Sequence, residues 1–329
     1  MDLTTTYMGL RLRSPIVAGA SPLGDDLDDA RRLEDRGAGA LVLRSVFAEQ
    51  LRVPRTLRRG APASSTVGDP LCEGAFVMDP EDYLRHLGRL KQALSIPVFA
   101  SLNGASPGPW LEFTSALCAA GSDGIELNLY ALATDPRLDG RAVESAALEV
   151  VREVKARSRV PIAVKITPFF SALAHFTGQL AAAGANALVL FGRPFQEDID
   201  NTGPFVKPGH QVSRVTELEL RLRWLSVLSP LGGPTLVASG GVHDGASVVK
   251  SILAGAHAVQ MVSAILARGP VCVSEALGEL SRHLERGGAS VAAIRGTLDL
   301  RGFPDPAEYE RLSYVLGLQR WREWRPATT

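Results

Sequence analysis

The sequence predicts an α/β protein, a single closed (β/α)8 barrel, on three observations. Two strand templates alternate along the 329 residues. Amphipathic helical segments fill most of the gaps between them. The doubly wound alternative lacks a G-x-G-x-x-G after its first strand, so it ranks second.

The first template is "RGAGALVLR" (36–44), "AGSDGIELN" (120–128), "AGANALVLF" (183–191) and "AGAHAVQMV" (254–262). Each reads as a helix ending in Gly, one turn and a strand; Gly suits the left-handed position past a helix end. The second is "SPIVAGA" (14–20), "IPVFASL" (96–102), "VPIAVKI" (160–166) and "GPTLVAS" (233–239), with Pro at the strand's first position, where its missing N–H does no harm. Helical periodicity occupies "DDLDDARRLEDRG", "DPEDYLRHLGRLKQAL", "PWLEFTSALCAAG", "GRAVESAALEVVREVKAR", "SALAHFTGQLAAAG", "RVTELELRLRWLSVL" and "DGASVVKSILAG". Short apolar strands alternating with helices imply a parallel sheet, and eight such units favour closure. No linker divides residues 1–329, so one domain is expected. Two connections exceed plain turns, residues 46–79 after strand two and 192–213 after strand six; both leave the barrel face where active sites sit. Residues 289–329 form a C-terminal extension. Its "DPAEYERLSYVLGLQRWREW", with Tyr309, Tyr314, Trp321 and Trp324, is expected to be an amphipathic helix packing back on the barrel, with a partner surface as the alternative.

Composition narrows the function. Lys plus Arg equals Asp plus Glu at 35 each, so no global field attracts nucleic acid or an anionic membrane. Cys72, Cys118 and Cys272 lie far apart with no C-x-x-C, which suits a reducing, cytoplasmic setting. "MDLTTTYMGL" has no apolar core of a signal peptide, and no stretch reaches transmembrane length. No His/Cys/carboxylate cluster has metal-ligand spacing, so no metal site is expected. Only five lysines occur, Lys91, Lys155, Lys165, Lys207 and Lys250.

The chemistry gathers at the strand tips. Strand seven ends in Ser239, Gly240 and Gly241, with Asp244 placed to cap the next helix; strand eight ends near Ser263 and Ala264. In barrels these two loops often hold a phosphate on backbone N–H groups, whereas a tight turn also needs Gly and binds nothing. Phosphosugars and FMN both suit such a clamp. In "PIAVKITP", Ile162, Val164 and Ile166 share one face and Ala163, Lys165 and Thr167 the other, which points Lys165 into the barrel near its top. A lysine there needs an anion or acceptor: a buried pair with Glu126, or the N1/O2 edge of a flavin. Asn128 could hydrogen-bond the same ring; Ser101 and Asn103 add polar groups at strand three, and Gly19, Ala20 and Ser21 leave room at strand one.

Together, "TTTYMGLRLRSPIVAGASP", "ASLNG", "IELNLY", "AVKITPFF", "ALVLFGRPFQEDID", "SGGVHDGASVVKSILAGA" and "IRGTLDLRGFPDPAEYERLSYV" resemble the dihydroorotate dehydrogenase-like flavoproteins nearly end to end. These are related to the soluble class of dihydroorotate dehydrogenases and to the flavin domain of dihydropyrimidine dehydrogenase. The resemblance implies an FMN-bearing barrel, pyrimidine chemistry and, by analogy, a homodimer. It assigns Gly19 and Ala20 to backbone contacts with flavin. Arg44 and Ser45 stand where the dehydrogenases carry Lys-Ser beside the ring, Asn128 and Lys165 match the flavin-binding Asn and Lys, and Gly240, Gly241, Ser263 and Ala264 match the phosphate clamp.

The substrate half departs from the family pattern. The base, a Cys or Ser after the E-L-N strand, is Ala131 here, and the substrate-holding Asn is Ala133. Arg44 stays protonated and cannot act as a base. The substrate loop N-S-M-G-L-P-N is not recognisable in "SSTVGDPLCEGAF", and Gly192 stands where an Asn would hold the substrate. Tyr130 and Cys72 are weak replacement candidates, since a loop aromatic usually packs and a lone Cys is usually inert; His175 and His243 flank strand tips. The expected activity is FMN-dependent oxidation of a CH–CH bond in a small molecule, with dihydroorotate the family-implied substrate. Two alternatives stand beside it: a flavin module serving a redox protein partner, and a flavin-free, phosphate-binding isomerase or lyase.

Overall fold

Eight parallel strands close into a barrel in the computed structural model, which describes residues 1–52, 77–193, 198–199, 206–207, 212–287 and 290–320. They are Ile16–Ala18 (β1), Ala40–Phe47 (β2), Val98–Asn103 (β3), Gly124–Asn128 (β4), Ile162–Ile166 (β5), Ala187–Leu190 (β6), Thr235–Ser239 (β7) and Ala258–Met261 (β8). Each pairs in parallel with its sequence neighbours, and β8 pairs with β1 to close the ring. Each strand overlaps a predicted segment; β2 runs on to Phe47, into the stretch expected to be loop, and β3 to Asn103, while the other six lie inside theirs. The glycines of the first template, Gly37, Gly121, Gly184 and Gly255, have φ of 97°, 92°, 110° and 115°, the left-handed backbone expected of them.

The prolines sit differently from expectation. Pro15, Pro97, Pro161 and Pro234 stand one residue before β1, β3, β5 and β7 rather than inside them. A proline has an acceptor and no donor. The carbonyls of Pro15, Pro97 and Pro161 accept from the N–H groups of Val259, Leu41 and Ile125 at 2.9, 3.0 and 3.0 Å, so each extends the ladder on the side where no donor is needed.

Side-chain alternation separates two cores. Ile162, Val164 and Ile166 pack outward with the helices, whereas Ala163 joins Val17, Val42, Phe99, Val189 and Val237 inside the ring. The base is filled by a hairpin the sequence reading missed, Thr5–Tyr7 paired with Leu10–Leu12. Its signal was Met8-Gly9, a two-residue turn with φ of 54° and 82° at both centres. Tyr7, Met8 and Leu12 are buried in the inner core, and the Tyr7 ring meets Phe99 edge-on at 5.4 Å.

All seven predicted inter-strand helices are present, and the Asp244 carboxylate caps Gly245–Leu253, accepting from the Ser247 N–H at 2.8 Å. Two more helices, Ser263–Arg268 and Val271–Gly287, follow β8. Cys272, Val273, Ala276, Leu280 and Leu284 give the second of these a buried stripe that the sequence already carried. The C-terminal helix forms at Pro306–Gln319, but not with the buried apolar stripe expected: none of its residues is fully buried, and an Arg223–Glu310 ion pair ties it to Leu218–Leu228. Leu312, Tyr314, Val315, Leu316 and Leu318 are spread round the helix and remain exposed, so no single stripe faces the barrel. Trp321 and Trp324 lie outside the described residues. No described helix is long and apolar enough to cross a membrane.

His257, just before β8, supplies a pH test of this packing. Its Nδ1 accepts from the Leu236 N–H at 3.2 Å. Burial, aided by the charge of Arg295, lowers its pKa from 6.5 to about 4. The unfolded chain then binds the extra proton first, so this packing contributes fully above about pH 6.5 and its contribution is lost as pH falls towards 4. The loss is on the order of 3 kcal/mol. Urea denaturation should show it, and His257→Asn, whose amide oxygen keeps the acceptor, should flatten the pH dependence over that range.

Candidate functional site

The polar groups gather at the C-terminal mouth of the barrel because the period of two turns them inward there. Phe99 faces the inner core, so Ser101 and Asn103 share its side; both are buried. In β2 the pairing register shifts between Val42 and Ser45, and the Ser45 hydroxyl lies 2.7 Å from that of Ser101. Asn103, Asn128 and Lys165 occupy one rung across β3, β4 and β5.

Beneath that rung runs a buried polar chain. Lys165 Nζ donates to Glu126 Oε1 at 2.7 Å, with the two side chains 10% and 2% exposed. Gln260 Nε2 donates to the other oxygen, Glu126 Oε2. β8 lies opposite β4 in the ring, so Glu126 and Gln260 join across the full width of the barrel. The pairing of Lys165 with Glu126 that the sequence offered is present, and it is compatible with a ligand contact from the same ammonium. It uses one of three ammonium donors and leaves the others for the mouth. Gln260 was not anticipated, although a Gln inside an apolar strand is a readable signal. Its Oε1 is buried without a partner among the described residues, as is the Tyr7 hydroxyl. Burial and the negative charge of Glu126 push the Tyr7 phenol well above its ordinary value.

The tip of β6 bends into this mouth. Phe191 N donates to Ser239 O at 3.2 Å and Gly192 N to Ile166 O at 2.9 Å, which sets Gly192 between the tips of β5 and β7. A Cβ on Gly192 would stand 3.4 Å from Lys165 Cγ and 3.5 Å from Asn128 Oδ1. At strand one, Gly19 donates to Met261 O at 3.1 Å, and a Cβ there would strike Val262 at 2.6 Å.

The predicted clamp is tied together by a residue the sequence reading missed. Ser213 Oγ accepts from the Gly241 N–H at 3.1 Å and bonds to Ser263 Oγ at 2.9 Å and His243 Nε2 at 3.2 Å. The Ser213 N–H donates to Ser263 Oγ at 2.8 Å. The loops after β6, β7 and β8 thus meet on one hydroxyl; Ala264 follows, buried, in the turn that begins Ser263–Arg268. Gly240 and Gly241 have φ of 93° and 76°. Packing alone requires both: a Cβ would stand 2.8 Å from the Arg221 guanidinium and 2.4 Å from the Leu218 nitrogen, respectively. Arg221 itself is buried, donates to Ser239 O at 2.8 Å and lies 5.9 Å over the Phe191 ring.

Other candidates fall away from the mouth or outside view. Arg44 turns to Asp25, donating from Nε at 3.2 Å; burial raises the Asp25 carboxyl above its ordinary value, against the pull of Arg44. Ala131 and Ala133 lie exposed in the loop after β4, and Tyr130 beside them is 38% exposed. Ala20 borders the inner core. Cys72 and most of the connection after β2 lie outside the described residues. Asp198–Ile199 and Val206–Lys207, in the connection after β6, form a short antiparallel ladder.

No protein-family model matches the chain. Curated proteins do match, almost end to end. A putative dihydroorotate dehydrogenase A (fumarate) of Aeropyrum pernix is 27% identical over 316 residues, covering 92% of this chain and 97% of its own. The catalytic subunit of a dihydroorotate dehydrogenase B (NAD(+)) of Methanothermobacter thermautotrophicus is 29% identical over 297 residues, 86% of this chain and 92% of its own. The corresponding subunit of Thermoplasma volcanium is 23% identical over 327 residues, 96% and 98%. The chain is a homologue of the dihydroorotate dehydrogenases. Like the mouth of a (β/α)8 barrel generally, the site of this homologue draws its polar groups from several strand tips, which lets the rim change while the ring persists.

The chain across the barrel makes a stability prediction. Removing one partner of a buried ion pair leaves the other charge uncompensated, at a cost of about 3–5 kcal/mol, while replacing both is far milder. In urea denaturation, Glu126→Gln should lose stability of that size, and Glu126→Gln combined with Lys165→Met should recover most of it.

Proposed function

We propose that the protein is an FMN-dependent oxidoreductase acting on a CH–CH bond of a small molecule, with dihydroorotate the first candidate. The observation that carries this reading is the ammonium of Lys165 beside Asn128 and the bare backbone of Gly192, next to the turn at Gly240 and Gly241. The residues fit FMN by their chemistry. A cation and an amide suit the polar edge of a flavin, small residues at Gly19, Ala20 and Gly192 spare its plane, and backbone N–H groups with the Ser263 hydroxyl suit a phosphate.

FMN held there would take a hydride from the substrate and pass electrons onward. Lys165, fixed by Glu126, places positive charge where reduction adds negative charge. Asn128 and Asn103 would hold the ring by hydrogen bonding, and Ser45 with Ser101 presents two hydroxyls at the same mouth. The substrate proton is the missing element: Ala131 has no atom to accept it, and Arg44 is committed to Asp25. That gap favours a second reading, a flavin barrel working with an electron-transfer partner, in keeping with relatives named as catalytic subunits.

Two measurements test these readings. FMN titration of the purified protein should give a yellow 1:1 complex, and the Glu126→Gln/Lys165→Met variant should bind about ten- to a hundredfold more weakly, the worth of a charge-assisted hydrogen bond; a protein that takes up no FMN ends both readings. Under anaerobic conditions dihydroorotate should bleach the flavin slowly, and Ala131→Cys should speed the bleaching. No bleaching in either form, with FMN bound, leaves the partner-served reading.

A further inference from the structure

The opposite end of the barrel carries a second cleft that the proposed reaction does not use. It measures about 540 Å³ and opens where β7 and β8 begin, between His257, the Gly232–Gly233 turn and the segment around Arg295 and Arg301. Nothing about it depends on the flavin reading.

Its chemistry is one-sided. Arg301 is held as a rigid fork: Nε and Nη2 donate to the two oxygens of Asp299 at 2.7 Å each. The Asp299 side chain is fully buried and is bound from behind by the Ser229 hydroxyl at 2.7 Å. Gly296, at φ 70°, makes this possible, since a Cβ there would stand 2.7 Å from Arg301 Nη2 and 2.8 Å from Asp299 Oδ2. The carboxylate is therefore spent on holding the arginine, while the Arg301 side chain stays 65% exposed, with its remaining N–H groups unused by Asp299. Arg295 is half-buried, and its guanidinium makes no ion pair or hydrogen bond among the described residues. His257 accepts at Nδ1 from Leu236, so its proton sits on Nε2, a third donor on the wall. No atom lies within 4 Å of a Cβ built on Gly232 or Gly233, which leaves that turn's backbone open to the cleft. No carboxylate lines the cleft among the described residues.

We propose that this cleft binds a small phosphate monoester, gripped by Arg295 and the preorganised Arg301 with His257 donating. Two guanidiniums match the charge and the three acceptor oxygens of such a group, and a fork fixed beforehand loses little freedom on binding. The volume leaves space for a sugar-sized body beside the phosphate.

Thermal unfolding of the protein with excess FMN, at constant ionic strength, tests this with ribose 5-phosphate as probe and ribose as its uncharged counterpart. Ribose 5-phosphate at millimolar concentration should raise Tm, and ribose should not. Arg295→Met, which breaks no contact among the described residues, should keep the unliganded Tm and weaken the affinity by roughly tenfold or more. Ala292→Glu, a carboxylate added on an exposed part of the rim, should abolish the shift. An equal shift from ribose, a shift retained in both variants, or no shift at all overturns the proposal; the second of these would place the anion at the flavin end instead.

Discussion

One buried charge pair governs the inside of this barrel. Glu126 and Lys165 face the pore because β4 and β5 alternate strictly, and neither can be alone there without a large desolvation cost. Gln260 completes the arrangement from the far wall. Below this level the pore is aliphatic and aromatic, plugged by Tyr7, Met8 and Leu12. Above it the walls are Asn, Ser and Gly. The pair is thus a boundary between a packed core and a polar mouth.

The mouth depends in turn on groups that hold one another rather than a ligand. Ser213 draws three loops together, Arg221 braces the turn after β7 from beneath, and Arg44 is tied to Asp25. Such mutual restraint preorganises a site, since donors already aimed need no reordering when a ligand arrives. It also explains why glycines at 240 and 241 say less about phosphate than their sequence context suggests: their backbone is required by Arg221 and Leu218 as well.

What the sequence revealed follows from which forces are local. Strands, inter-strand helices and the left-handed glycines were legible because each is written in a short window: an apolar run, a 3.6 period, a Gly after a helix. The inward aim of Lys165 was legible for the same reason. Ser213 was not, since its role rests on contacts between loops; Gln260 stood out as a polar residue in an apolar strand, but its partner across the ring was not written in any local window. The hairpin at the base was missed although Met8-Gly9 announces its turn; three-residue strands are too short to show a period. The C-terminal helix failed in the other direction. Its apolar content was read as a packing stripe, whereas content without the right spacing gives a helix with no buried residue, tied to Leu218–Leu228 by the Arg223–Glu310 ion pair.

The four prolines at the foot of alternate strands carry a consequence for how the ring assembles. A one-residue slip would carry a pyrrolidine into the ladder, where a donor is required, and would turn every inward side chain of that strand outward. Each proline therefore acts as a stop against sliding. The alignment of Lys165 with Asn128, on which the mouth is built, is set at the other end of the strand by Pro161, a residue with no reactive atom and no view of the site.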